Sequence, residues 1–435
     1  MSGRVVAILV GVLALLIGAV VLTQSKSTGT DQSVQQTRRL VEAPPSQIGA
    51  IEVRERDDSF VLISADEDWG GWLVSWGGPS GRGSGAWPAS GSTRNAGARI
   101  LSNTPLQRGP EADLATASEV YIQSIDGSLL SSMDVGARAL AGLLPVRVHG
   151  SEQWMAVSRE VGDFLKADAL LMWRDPSVLP GFDANVTSIS IGHSDRVVVS
   201  LKRVGKSWSL TYPVAAPADP GAVQALLEGL IGLKSDSFTD APVAGEIRTL
   251  TATVPGQSDM GDRQYTVIAG ADSKVADVAL SVVDDDERNV VARTRLSVSE
   301  EADQILAVDA AQFISKRTLG IPASEIERFS VTLVGGVDPE LEALRGTGGW
   351  EGTGASFAVA WGALLTERIA DTVHLGNQGV TPTHQISLRR FGGLDLGTYL
   401  IAHDKERSVI WIVKDQVWRG YPIDDDGFEL GLKQE

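Results

Sequence analysis

Apolar and polar residues alternate along several stretches of this chain, and each alternation gives way to a helical spacing. "VTSISIGHSDRVVVSLKRVGKSWSLTYP" sets Ile189 and Ile191, then Val197, Val199 and Leu201, then Trp208 in a period of two. That period describes strands with one buried face, and the Gly, Asp and Lys positions between them read as hairpin turns. The next stretch, "APADPGAVQALLEGLIGLKSD", carries Val223, Leu226, Leu227, Leu230 and Ile231 at helical spacing. Asp219 at the N-cap and Pro220 at the first helical position mark where that helix starts.

Two other stretches can be laid over this one. "IGAIEVRERDDSFVLISADEDWGGWLVSW" offers Ile51 and Val53, Phe60 and Leu62, then Trp69 and Trp72, followed by a weaker helix signal in "STRNAGARILSNTP". "IERFSVTLVGGVDPELEALRGTGGWEG" offers Phe329, Val331 and Leu333, then Leu341, Leu344 and Trp350. The helix "SFAVAWGALLTERIADTV" follows it, with Trp361, Leu364, Leu365 and Ile369. A back half closes each unit with an apolar strand, a polar turn and a second amphipathic segment. Three tandem units result, at 47–183, 184–325 and 326–435. Their expected class is α+β, an antiparallel sheet with packed helices in every repeat.

Ahead of the units the pattern changes. Val5 to Leu22 is unbroken apolar sequence, roughly 27 Å long as a helix, enough to cross a bilayer core. Residues 1–25 are therefore expected to be an uncleaved transmembrane anchor. A cleaved signal peptide is the competing reading, but "AVVLTQSKS" lacks a clean small-residue cleavage pattern. Arg4 precedes the span while Lys26, Arg38 and Arg39 follow it, so flanking charge does not set the orientation. The layout of one span and one large body favours a single-pass inner-membrane protein with its soluble part extracytoplasmic. Residues 26–46, "KSTGTDQSVQQTRRLVEAPPS", read as a flexible linker.

Composition then removes whole function classes. With 43% apolar residues there is material for a large core, and the net charge of −17 argues against nucleic acid as a partner. The absence of cysteine excludes disulfides, thiol chemistry and a lipidated cysteine. The Gly205-Lys206-Ser207 triplet invites a phosphate-loop reading, yet Ser200 stands where the loop needs its first glycine, and a strand rather than a helix follows. Nucleotide binding is not expected. His149, His193, His374, His384 and His403 show no metal-ligand spacing, and no Gly-x-Ser-x-Gly elbow occurs. Asp284-Asp285-Asp286 and Asp424-Asp425-Asp426 are consecutive rather than alternate, so they read as solvated turns and not calcium loops. Asn185 opens an N-V-T glycosylation pattern, which has meaning only in a eukaryotic secretory pathway. No enzyme, metal or cofactor is expected.

Trp69, Trp72, Trp208 and Trp350 recur at one place in the repeat and read as core. Trp76 and Trp87 lie in or beside the Gly/Ser-rich "GGPSGRGSGAWPASG" and have no counterpart in the other units. As aromatics on a flexible loop they are the candidate contacts for a ligand or partner, with packing into the core as the other reading.

Trp208 to Leu233 forms the pattern W-x-L-x-x-P…AD…AV-x-x-LL-x-x-L-x-x-L. With the N-terminal span, it resembles an uncharacterised bacterial family whose members carry one anchor and a repeated domain of unknown function. The likeness is best over 184–325 and looser on either side. Members of that family are auxiliary components of ABC-2-type transport systems related to gliding motility and export. The resemblance implies location and association, with transporter subunits as partners and the membrane reached through Val5–Leu22, and it supplies no active-site residues. The expected function is thus an anchored accessory scaffold acting by protein–protein binding. An envelope module for glycan or peptide is the alternative.

Overall fold

A computed structural model describes residues 38–423, apart from 79–83, 110–113, 140–141, 257–260 and 285–286. The apolar stretch Val5–Leu22 lies outside the described residues. Among the described residues no helix is long and apolar enough to cross a membrane. The longest run 13 residues, about 20 Å, and each is spent packing on a sheet. The single-pass anchor, and the inner-membrane and extracytoplasmic placement built on it, are therefore corrected: no described element provides them.

The first unit runs β1 (Ile48–Glu55), β2 (Phe60–Asp66), β3 (Gly71–Gly77), β4 (Gly85–Pro88), α1 (Gly91–Asn103), β5 (Gln107–Arg108), β6 (Thr116–Ser124), β7 (Leu129–Gly136), β8 (Leu143–Val148) and β9 (Met155–Ser158). Two single-turn helices, α2 (Arg159–Asp163) and α3 (Ala167–Leu171), lead out of it. Its strands pair in the order β4-β3-β2-β1-β6-β7-β8-β9-β5. The helix thus carries the chain from one edge of the sheet to the other.

The same order recurs. The second unit has β10 (Ser188–His193), β11 (Arg196–Val204), β12 (Ser207–Tyr212), β13 (Ala216–Pro217), α4 (Pro220–Gly232), β14 (Ser235–Phe238), β15 (Ile247–Val254), β16 (Asp262–Gly270), β17 (Val275–Asp284) and β18 (Glu287–Val298). These pair as β13-β12-β11-β10-β15-β16-β17-β18-β14. After the short α5 (Glu300–Leu306), the third unit has β19 (Ile326–Leu333), β20 (Leu341–Gly346), β21 (Gly349–Glu351), α6 (Ala355–Thr366), β22 (Thr372–Leu375), β23 (His384–Arg390), β24 (Asp395–Asp404), β25 (Val409–Lys414) and β26 (Val417–Pro422). It omits the fourth strand and pairs as β21-β20-β19-β23-β24-β25-β26-β22.

The α+β class is corrected on this evidence. The described chain is antiparallel β, with one helix of 12 or 13 residues per unit. The amphipathic segments that close the units are short helices of 5 and 7 residues, as at α3 and α5, or strands, as at β24–β26. A short apolar run has the same composition in either state.

Each helix is what its sheet curls around. Val223, Leu226, Leu227 and Leu230 of α4 share one apolar cluster with Leu210 from one end of the sheet and Leu296 from the other. Ala98 and Leu101 of α1, and Phe357, Trp361, Leu364 and Leu365 of α6, fill the corresponding places. The helix start read at Asp219 is present: its carboxylate accepts a hydrogen bond from the Ala222 amide at 2.9 Å, with Pro220 in the first turn. Gly205 takes the left-handed φ of 62° in the tight turn joining β11 to β12, where Val204 faces Ser207. The triplet is a hairpin.

Neighbouring units are stitched together. The segment entering each unit lies beside the residues that follow its helix, through Arg39 and Pro105, then Ser177 and Lys234. In the third unit the Leu319 amide donates to the Leu365 carbonyl at 2.9 Å. Trp69, Leu73 and Trp87 of the first unit belong to the apolar core of the second, as does Val417 of the third. A single bridge between Ala86 and Arg293 joins β4 to β18, so the first two units form one 18-stranded sheet beside an 8-stranded one.

Candidate functional site

The two tryptophans singled out by their loop-like surroundings have different places. Trp87 sits on β4 with its side chain turned inward and 0% exposed. Its indole N–H donates to the Asp175 carbonyl at 2.8 Å, and its ring meets Phe238 edge-on at 6.4 Å. It is a core residue, so of the two readings of Trp87 core packing is the one its burial matches. The glycines and serines around it suggest a mobile surface, but Gly85 has a packing reason. A Cβ there would come within 2.6 Å of the Trp76 ring and 3.1 Å of the Arg293 carbonyl. Glycine lets β4 lie against β18.

Trp76, on β3, is half-buried at the same junction. The Arg174 guanidinium lies 4.8 Å from its ring centre and 3.6 Å from that of Phe238. This burial pushes the Arg174 pKa down to about 10, against the opposing pull of Asp240. The cation therefore rests on aromatic faces, which suit a weakly hydrated guanidinium.

A groove of about 530 Å³ opens beside Trp76. Ser84 to Ala86 and Trp76 form one wall, Val290 to Arg295 of β18 form the floor, and Thr239, Asp240 and Asp277 close one end. Its charges are already matched. Arg293 holds Asp277 through two hydrogen bonds of 2.9 and 2.8 Å, Arg295 lies 3.9 Å from the same carboxylate, and the Asp240 charge acts on Arg174. Of the lining, sequence reasoning reached Trp76 alone. The alternation in "ERNVVARTRLSV", with Leu296 and Val298 inward and Arg293 and Arg295 outward, was the signal available for β18. Nothing in the sequence marks Arg174.

The remaining candidates do not assemble into a site. Among the described residues no three His, Cys, Asp or Glu side chains are grouped to hold a metal ion. His149 lies 3.3 Å from Asp134, which Arg147 also engages, and His384 meets the neighbouring Thr383 hydroxyl at 2.9 Å. Of the acidic runs, Asp285, Asp286 and Asp424 to Asp426 lie outside the described residues. The Asn185 amide side chain donates to Asp183 at 3.1 Å.

No family model matches the chain, and no curated protein and no solved structure matches it.

Proposed function

We propose that this chain is a protein-binding scaffold, with the groove between its first two units as the seat for a partner. The observation that carries the reading is the groove itself. It combines a half-buried tryptophan, exposed apolar Val290 and matched charges at a junction where two units are welded into one sheet. A groove already formed between two units presents a partner with a surface that needs little reordering on binding. Export-system subunits, the partners implied by the family resemblance, are the first class to test. The glycan alternative is weaker, because the Arg174 guanidinium already lies over the Trp76 ring where a sugar would stack.

The test is site-specific photo-crosslinking in the native cell. A photoreactive residue replaces Val290 on the groove floor, or Val204, 64% exposed on β11 and outside the groove. A discrete protein adduct from position 290 and none from 204 is expected. Adducts from neither position, or equal adducts from both, would refute the groove as the seat.

A further inference from the structure

This inference rests on the binding reading above and narrows it to one mode of recognition. We propose that the occupant is an extended peptide segment of low net charge, which adds as a further strand to the open edge of β18 along Glu287 to Val291.

β18 is 12 residues long and pairs with β17 along nearly all of it. On its other side the cover is partial. β14 takes Leu296 to Val298, the Thr239 amide donates to the Arg295 carbonyl at 3.1 Å, and β4 touches down only where Ala86 meets Arg293. Among the described residues, Glu287 to Val291 have no strand on that side, while Ala292, next to the β4 contact, is buried. The overhang is about 17 Å at the usual rise per residue. It is peculiar to the second unit. The matching strand of the first unit, β9, has 4 residues, and that of the third, β26, has 6 and ends at Pro422, which has no N–H to donate.

Open edges normally carry a guard, such as a lysine, a proline or a bulge that turns the edge away. There is a bulge here, at Val290 and Val291 opposite Ser281, but the next charged group is drawn aside. The Arg288 guanidinium donates to the Ser281 hydroxyl at 3.1 Å and the Thr266 hydroxyl at 2.9 Å, so it lies across the sheet face. Asn289, Val290 and Val291 are left beside the groove, with Val290 58% exposed.

The chain already uses this edge for its own strands, β14 and β4, and an added peptide would continue the line they begin. Backbone hydrogen bonds would provide affinity, and alternate side chains would meet Val290 and Trp76 on one face. Because Asp277 and Arg293 neutralise each other, charge does not select the peptide. Its affinity should therefore change little with ionic strength.

The experiment uses the full chain and a displayed library of random dodecapeptides. A retained peptide is synthesised, and amide hydrogen exchange is measured with and without it. At a peptide concentration ~100 times its Kd, linkage predicts exchange about a hundredfold slower for the open-edge amides within 287–291. Val290→Pro should lose binding, whereas Val204→Thr, outside the groove, should retain it. Protection at another place overturns strand addition while leaving the binding reading intact. So does a library that leaves no peptide bound, even where photo-crosslinking from position 290 succeeds. A folded protein partner would be the occupant in that case. Should the proline variant not fold, the exchange pattern on the unmodified chain still decides.

Discussion

Replacing Trp87 by alanine separates a core role from a contact role. The side chain is 0% exposed, so its whole apolar surface is withdrawn from water. An indole buries about 150–250 Å², which at about 25 cal/mol per Å² amounts to roughly 4–6 kcal/mol as an upper bound. Measured large-to-small aromatic truncations, at about 3–5 kcal/mol, agree. The Asp175 carbonyl also loses its donor, adding about 1 kcal/mol where water does not replace it. Trp87→Ala should therefore lose about 4 kcal/mol, and Trp87→Phe, which keeps most of the area without the N–H, about 1–2 kcal/mol. The assay is urea unfolding followed by far-UV circular dichroism, with the midpoints compared at matched slopes. Because Trp87 belongs to the core of the second unit while its strand belongs to the first, the alanine variant should also split the transition of those two units. A variant within about 1 kcal/mol of the parent, unfolding with unchanged slope, would refute the burial argument.

Two further expectations follow from single contacts. Asp219→Ala removes the cap of α4 and should cost about 1 kcal/mol in the same unfolding assay, whereas Asp219→Asn should cost less, since its amide oxygen can still accept from Ala222. Burial pushes the Tyr265 phenol up from 10.0 to about 12. A raised folded value stabilises fully below pH 10, and that contribution, on the order of 3 kcal/mol, is lost as pH rises through about 12. Tyr265→Phe should accordingly show a shallower fall in stability between those pH values, and an unchanged fall would show that other groups set the alkaline limit.

What was readable in advance depended on how unambiguous each pattern was. Asp219-Pro220 and the alternation from Ile189 to Leu201 predict a helix and a hairpin, and both are present, although Val197, read onto the buried face, is 45% exposed. In β2 every position from Phe60 to Ile63 is apolar, so the face cannot be chosen by hydropathy. The structure buries Val61 and Ile63 rather than Phe60 and Leu62. In β20 the inward residue is Ala343, while Leu344 is 51% exposed, because the strand's register is fixed by β19 and not by its own side chains. The sequence left Trp87 between core and contact because glycine serves both flexible loops and close approaches, and only the neighbour across the gap tells them apart. The open edge of β18 depends on the lengths of strands distant in sequence, which no local pattern records.

The core of the second unit is completed by Trp69, Leu73 and Trp87 from before it and Val417 from after it. A segment cut out at residues 184 and 325 would lose those side chains and expose the apolar surfaces they cover. The sequence repeat and the unit that can be exchanged between chains are thus out of phase. Recombination that lengthened such an array would succeed when its breakpoints fell inside two equivalent units, carrying the rim of one neighbour along with the body of the next.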